Sequence, residues 1–575
     1  MIQETREWWS ALSNAQRFFI VCLLVSPLLL LLWRDGRNLS LLLAGLPGLW
    51  FGFRVGFRQF IGRDGHRWLW LVWAFLAAGV LSWGISGFPE VGSDRLDRHF
   101  RVLFFLPWLI TLIWARPPAR LIWLSLAVAG MGIGLGGLIE VWLSGEGLSH
   151  RVEGDAHVMS YGLISALIFT ALVGAAWQHR GQRLFALLLA VGAMLALVGV
   201  VTTGVRAAIL GLAGGIAMLA VLFAWFGDRR GAVLFLGSPA LLVVVALVLA
   251  HEGVTARFSA GVEEVKRYYE TEAAMPPRSE VRMGCQDDDR LLRAWLGSYG
   301  VSLSGPVSVV VVDGPATEHC EYGHRFRMSA ETANARAAFD RSVQVELAPR
   351  PLRLEARGEG ARVRLGDGEW QRVDGEFRLY ELETALRPGT RIDWWVRDGG
   401  WVEWVPLASR MGDYRYPHVV GSMPQRLEMW SVAWQGFREN PLVGHGTGRF
   451  HHLTEPLIEQ GLSAEAIRTY SHAHSEYLDT LATRGLLGLA TLVLWLLGLI
   501  YIAMRPGPGQ TKNAFHPGIP FAAVWVAFSL ALVTEASLSM NLVTVTVGLL
   551  MSLTLYLTRR GKQPPDWTRN RLKFW

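Results

Sequence analysis

Two short segments hold the residues best suited to chemistry: TTGVRAAILGLAGG at Thr202–Gly215 and SHAHSEYLDTLATRGLLGL at Ser471–Leu489. Each lies at the edge of a long apolar run, where a membrane helix meets water; an arginine at such a depth is costly and usually functional. Arg206 opens the helix expected after Thr202-Thr203-Gly204. Arg426 lies in MPQRLEMWSVAWQGF, His474 precedes the span expected from Leu486, and Glu535 stands at the outer end of the next span. A guanidinium presents a planar fork of donors that meets phosphate oxygens two at a time and stays charged at any ordinary pH. A helix N-terminus at Ala207 adds backbone donors and a positive dipole end facing the same anion. Histidine takes a proton from a hydroxyl near neutral pH. Two arginines, one histidine and no acidic cluster form the set that a diphosphate-bearing substrate asks for.

Each of these residues also has a plainer reading. An arginine at a span's outer end is often a snorkelling anchor, which fits Arg206 as well as a ligand role does, and Arg257 better. A lone histidine near a membrane surface is more often structural. His472 and His474, with His451 and His452, raise zinc. Zinc sites need three or four ligands in a recognisable spacing, the sequence has no Cys-x-x-Cys or His-Glu-x-x-His pattern, and no metal is expected. The glycine-rich run NPLVGHGTGRF at Asn440–Phe450 lacks the Lys-Ser/Thr of a phosphate-binding P-loop and reads as a tight turn after a helix.

The elements that must position these groups follow from composition. The 575 residues are 51% hydrophobic and only 18% charged, against about 25% charged in an average soluble protein. Many of the 26 tryptophans flank apolar runs (Trp33, Trp50, Trp68, Trp114, Trp177, Trp225), as in an aromatic belt at the lipid boundary. A helix needs roughly 20 apolar residues to cross a bilayer. The candidate spans are Phe18–Trp33, Leu39–Phe57, Trp68–Phe88, Arg101–Trp114, Leu121–Leu143, Val158–Trp177, Leu184–Thr202, Ala207–Phe226, Ala232–Ala250, Leu486–Met504, Ile519–Ala536 and Leu542–Leu557. The expected fold is thus a polytopic α-helical membrane protein of about twelve transmembrane helices. The first run lacks a small-residue cleavage site and reads as a retained helix rather than a signal peptide.

Loop charge sets the orientation. With the N-terminus in the cytoplasm, the inside loops carry Arg58, Arg63 and Arg67, then Arg116 and Arg120, Arg180 and Arg183, Arg229 and Arg230, Arg505 and Lys512, and the tail Arg559, Arg560 and Lys562. Arg34 and Arg37 depart from the pattern at the first hairpin. The formal charge of +7 is explained by these loops rather than by nucleic-acid binding. Domains follow: transmembrane helices over 1–250, a periplasmic loop over 251–484, transmembrane helices over 485–558 and a cytoplasmic tail over 559–575. Within the loop, Gly253–Glu272 reads as a helix leaving the membrane. Residues 302–406 alternate as strands between Asp-Gly turns and read as an inserted β-rich module, and 424–470 reads as helical. Cys285 and Cys320 lie in this polar region, where an oxidising compartment would allow them to pair.

At the motif residues the chain resembles the O-antigen ligase and O-antigen polymerase superfamily of bacterial inner-membrane glycosyltransferases, whose architecture is GT-C-like. Arg206-Ala-Ala-Ile-Leu210 matches an Arg-x-x-x-Leu element after a short outer loop. Gln425-Arg426-Leu-Glu-Met-Trp430, followed by Glu439-Asn440-Pro441-Leu442-Val443-Gly444-His445-Gly446, resembles the family's outer-loop signature. His474-Ser475, nine residues, then Gly485-Leu-Leu-Gly488 matches the ligase His-Asn/Ser/Gln element with its two glycines. The likeness covers about residues 100–270 and 420–557. Leu489 stands where the ligase element often has threonine, and the β-rich insert is outside the common pattern.

The resemblance implies transfer of a glycan from an undecaprenyl-diphosphate-linked donor to an acceptor hydroxyl, in the ligase case that of lipid A–core, at the periplasmic face of the inner membrane. It implies no metal, nucleotide or other cofactor. Arg206 and Arg426 would bind the diphosphate and His474 would deprotonate or orient the acceptor. Arg151, Arg257 and Glu535 are weaker candidates for lining the site. With one histidine and no carboxylate nucleophile in the set, direct displacement with inversion is the simpler scheme. An O-antigen polymerase and a protein O-oligosaccharyltransferase share this logic. A secondary transporter would show similar halves and charges at the bilayer midplane; here the halves differ and the charges sit at the outer edge.

Overall fold

Apolar runs separated by glycine, proline and basic residues become helices in the computed structural model. It describes residues 2–32, 34–145, 150–152, 157–237, 261–266, 268–270, 419, 421–459, 462–505 and 516–559, together with the strands named below. Arg257, Cys285, Cys320, most of the expected span Ala232–Ala250, most of Gly253–Glu272, Lys512 and the tail beyond Arg559 lie outside the described residues. The helices are α1 (Ile2–Ser10), α2 (Asn14–Leu32), α3 (Arg34–Phe51), α4 (Phe57–Ile85), α5 (Glu90–Phe100), α6 (Phe105–Ala115), α7 (Ala119–Ser144), α8 (Val158–Gln178), α9 (Arg183–Thr203), α10 (Arg206–Trp225), α11 (Ser422–Glu439), α12 (Phe450–Glu459), α13 (Glu476–Met504), α14 (Ile519–Ala531) and α15 (Asn541–Arg559).

Among the described residues, 7 helices are long and apolar enough to cross a membrane: Glu90–Ala115, Ala119–Ser144, Val158–Gln178, Arg183–Thr203, Arg206–Trp225, Glu476–Met504 and Asn541–Thr558. Asn14–Leu29, Leu69–Ile85 and Ile519–Ala531 are shorter apolar helices. The protein is a polytopic helical membrane protein. Among the described residues the boundaries differ from the expected runs: one span begins at Glu90 rather than Arg101 and another at Glu476 rather than Leu486, the helix from Ile519 ends at Ala531 rather than Ala536, and the expected span Leu39–Phe57 is a helix over Arg34–Phe51 outside the membrane-capable set. The added turns bring in Arg95 and His99 in the first case and Glu476, Asp479 and Arg484 in the second, all buried, because each finds a partner inside the protein rather than in water.

The chain divides into two compact units, Met1–Arg257 with Ala433–Phe450 and Ser471–Trp575, and Phe258–Val432 with His451–Tyr470. In the first unit α8 and α15 are almost enclosed by their neighbours, whereas α13 is buried along its first turns and more open beyond Gly485. Helices α7 and α9 pack through small residues. A Cβ placed on Gly130 would lie 2.4 Å from the Gly192 carbonyl oxygen, so only glycine permits this backbone approach. Helices α10 and α14 meet similarly, since a Cβ on Gly211 would lie 2.6 Å from the Ala527 carbonyl oxygen and 3.3 Å from the Ala531 Cβ. The first turns of α10 therefore lie beside the last turns of α14, and Arg206 and the chain leaving Ala531 occupy the same end of the bundle.

In the second unit the strand backbones pair antiparallel, in the order β1 (Val301–Leu303), β4 (Arg341–Val345), β7 (Thr390–Pro406), β3 (Phe326–Ser329) and β2 (Val309–Val311). β7 is the long central strand: β4 and β3 pair with its two halves on one edge, and β5 (Leu354–Leu365) runs along the other and carries β6 (Gln371–Arg378).

Between α10 and the helix that starts at Arg229, Asp228 accepts hydrogen bonds from the Gly231 amide (3.0 Å) and the Trp177 indole (2.9 Å), and pairs with Arg180 at 3.0 Å. Burial opposes its ionisation, but these donors outweigh burial and hold its carboxyl below the ordinary carboxylate range. A depressed folded-state pKa gives stability that is present above the unfolded value and lost as pH falls through the folded one. Asp228→Ala should therefore lower the melting temperature of the detergent-solubilised protein at pH 7, as loss of a helix cap costs about 1 kcal/mol. The gap from wild type should shrink as pH falls below about 3.9; a gap constant with pH would refute this account.

Candidate functional site

The Ser471–Leu489 segment folds around its own charges. Ser475 caps α13 by accepting from the Leu478 amide at 3.4 Å. Glu476 and Asp479 occupy the first turn, where carboxylates are favoured by the helix dipole. Just before the cap, His474 adopts a left-handed backbone with φ 48°, uncommon for a residue with a side chain. Its amide donates to His472 Nδ1 at 3.2 Å, and the two imidazoles meet edge to face with centroids 4.4 Å apart. His474 Nδ1 lies 3.1 Å from Oε1 of Glu535, which is only 2% exposed.

Two buried carboxylates hold this arrangement from behind. Asp479 accepts the Ala473 amide on Oδ1 (3.2 Å) and the Arg95 guanidinium on Oδ2 (2.6 Å). It thereby ties the residue next to His474 to α5. Glu476 accepts the Leu538 amide on Oε2 (3.0 Å), while its own amide donates to the Leu532 carbonyl (2.9 Å). That pair of bonds clamps the segment that presents Glu535. Arg98 adds a bond to the Ser539 carbonyl at 3.2 Å. So His474 and Glu535, distant in sequence, are each fixed by one acidic residue at the start of one helix.

Deeper in α13, Arg484 donates to His99 Nδ1 at 2.7 Å and its guanidinium lies 5.1 Å from the centre of the Phe75 ring. A guanidinium only donates, so the His99 ring proton sits on Nε2, which faces Glu476 Oε1 at 3.8 Å. Arg95, His99, Glu476, Asp479 and Arg484 are all buried; two cations and two carboxylates offset one another around a neutral imidazole. The glycines of the segment serve this packing. Gly485 (φ 63°) breaks the helix, and a Cβ there would lie 2.3 Å from the Leu442 carbonyl carbon. At that break the Asn440–Phe450 loop docks. The Leu486 and Leu487 amides donate to the Pro441 and Leu442 carbonyls, and the His445 and Gly446 amides donate to the Ala482 and Thr483 carbonyls. A Cβ on Gly488 would lie 2.3 Å from the Arg484 Cβ.

Of the residues singled out from sequence, His474 and Glu535 are brought into contact. Arg206 is half-buried at the first position of α10, and Arg151 donates from Nε to the Thr203 carbonyl at 3.1 Å, on the same turn. Gly204 closes α9 with φ 59°. Arg426 is buried on α11 in the second unit. There Gln425 accepts from Tyr470 Oη at 2.8 Å, and the buried Glu428 accepts from Ser463 and the Ala464 amide. Arg257 lies outside the described residues. Sequence reading missed the five buried ionisable residues behind His474. The available signal was the charge in helical spacing inside apolar surroundings: Glu476 with Asp479, and Arg95 with His99. It also missed that His472, His474 and Glu535 place one ligand atom each within 4.8 Å of one another, because the third group comes from another span.

The first unit is thus a bundle of membrane-capable helices with a histidine–glutamate pair and an arginine-bearing helix start at one end. Residues 408–493 match the family model described as O-antigen ligase, a stretch that holds Arg426, the Asn440–Phe450 loop, His474, Glu476, Asp479 and Arg484. Over that stretch the chain is similar to the O-antigen ligase family. An uncharacterized protein of Haemophilus influenzae is 28% identical over 84 residues, which is 15% of this chain and 21% of that protein. The similarity thus spans about a fifth of that relative's length.

Removing one member of a buried ion pair strands the other and costs about 3–5 kcal/mol, whereas replacing both with apolar residues is often neutral. Asp479→Ala should therefore lower the melting temperature sharply. Arg95→Met with Asp479→Leu should recover most of it yet leave transfer impaired, because the Ala473 amide has lost its acceptor. Full activity in the double variant would show that Asp479 does not position His474.

Proposed function

We propose that this protein transfers O-antigen glycan from undecaprenyl diphosphate to lipid A–core at the periplasmic face of the inner membrane, with its termini in the cytoplasm. The observation that carries this reading is the 3.1 Å contact between His474 Nδ1 and the buried Glu535. A carboxylate on Nδ1 fixes the ring orientation and directs Nε2 at the acceptor hydroxyl, whose proton it removes as the oxygen attacks the anomeric carbon. The carbon–oxygen bond to the diphosphate breaks on the opposite face, giving inversion. The departing diphosphate gains charge, which Arg206 and Arg426 stabilise more than they stabilise the bound donor. Arg151 and Arg257 are the weaker candidates for binding the same substrate. This assignment is supported by the position of Arg206 at a helix start on the same end of the bundle as Glu535. Residues 302–406 act as a β module inserted in the periplasmic loop that contacts glycan or a partner.

A polymerase would use the same groups to join repeat units on the lipid carrier, and a protein O-oligosaccharyltransferase would present a protein hydroxyl. Lipopolysaccharide from a strain lacking the gene separates the outcomes. Loss of all O-antigen with carrier-linked chains retained is the ligase result, a core bearing a single repeat is the polymerase result, and unaltered lipopolysaccharide points to a protein acceptor.

His474→Ala should lower transfer by about 10²–10⁴-fold with the protein still in the membrane, and Glu535→Gln should fall between that variant and wild type. Arg206→Lys should lose most activity, because an ammonium cannot make the two-pronged phosphate contact. Normal O-antigen display in the His474→Ala strain would remove the base assignment; wild-type turnover in Arg206→Lys would reduce that arginine to a membrane anchor.

A further inference from the structure

We propose that His472, His474 and Glu535 form a site for a divalent transition-metal ion, zinc being the best match, and that its occupancy blocks glycan transfer. The blocking role rests on the reading of His474 as the base; the site itself does not. Each of the three residues offers a ligand atom, and these atoms lie within 4.8 Å of one another. His474 Nδ1 and Glu535 Oε1, at 3.1 Å, are already separated by close to the roughly 3.3 Å edge of a tetrahedron with zinc–ligand bonds of about 2.0–2.1 Å. The third ligand needs only a modest rotation of His472, whose ring meets that of His474 at 4.4 Å between centroids. This rotation exchanges a 3.2 Å bond from the His474 amide for a metal bond.

The donor set selects the ion. Two imidazoles and one carboxylate form the three-ligand arrangement of open zinc sites, with a fourth position left for water. Calcium and magnesium prefer sites built from oxygen, and three nitrogen and oxygen donors without a thiolate do not favour copper(I). Access and rigidity also fit. Both histidines are only partly buried, so an ion can reach them, while Glu535 is buried on a segment clamped by Glu476 at Leu532 and Leu538. Other histidine–carboxylate contacts among the described residues, such as His451 with Glu455 at 3.9 Å, are pairs and lack a third ligand. A metal here takes as ligands the two atoms whose contact orients His474, so orientation for catalysis and metal ligation exclude each other.

The test uses the full chain in detergent, stripped with a chelator. Zinc alone is titrated calorimetrically, cobalt(II) by visible absorption, and transfer is assayed with and without added zinc. We expect one tight site per chain, a four- or five-coordinate cobalt spectrum, and inhibition that the chelator reverses. His472→Ala and Glu535→Gln should each weaken zinc binding at least about tenfold. His452→Ala, at an exposed position outside the cluster, should not. Absence of the tight site, or zinc affinity unchanged in both cluster variants with melting temperatures retained, overturns the proposal. Zinc bound at this site with transfer unchanged or raised overturns the blocking role and the base assignment together, while the metal site stands.

Discussion

An acidic helix start buried inside an apolar bundle is the constraint on which the rest of this structure depends. Glu476 and Asp479 open α13 with 1% and 4% of their surface exposed, a position where an unpaired carboxylate would be prohibitively costly. The surrounding elements satisfy them: Arg95 from α5, the Ala473 amide from the preceding turn, and the Leu538 amide from the loop after α14. Each bond that satisfies a carboxylate also fixes a neighbour of the proposed reacting groups. The energetic requirement and the geometric one are met by the same atoms.

This coupling accounts for the glycines around the helix. Arg484 is as buried as the carboxylates, and room for it comes from Gly79 and Gly488, where a Cβ would crowd the guanidinium or its stem. The break at Gly485 lets the Asn440–Phe450 loop bond directly to the helix backbone. Backbone amides and carbonyls that a straight helix would have paired internally are thus satisfied by the loop. The His-Ser-x9-Gly-x-x-Gly spacing is, in physical terms, the distance from a capped helix start to the place where that helix must open.

The glycine-poor side of the site behaves differently. The His472–His474 turn is strained at φ 48° and held by side chains rather than by a permissive residue. Strain of this kind persists only where the surroundings over-determine it, and here Asp479, Ser475 and Glu535 do so from three directions. The same convergence that points one imidazole at Glu535 brings a second beside it, which is why a pair suited to proton transfer is also close to a complete metal-ligand set.

Sequence alone determined the class of the protein, because a bilayer imposes length and hydropathy on every span, and the apolar runs, tryptophan flanks and basic loops are local signals. It also determined which side chains have suitable chemistry: Arg206, His474 and Glu535 stood out by type and by position at span ends, and Arg426 by type and by its motif in the loop. Only the tertiary structure decided that His474 meets Glu535, since contact between separate spans leaves no spacing rule in the chain. It also decided that α13 begins at Glu476 instead of Leu486. Hydropathy counts a charged residue as exposed, whereas here Arg95 and the Leu538 amide make burial of Glu476 and Asp479 affordable. For the same reason zinc-ligand spacing pointed away from a metal, while the folded chain supplies a third ligand from a span that the pattern could not reach.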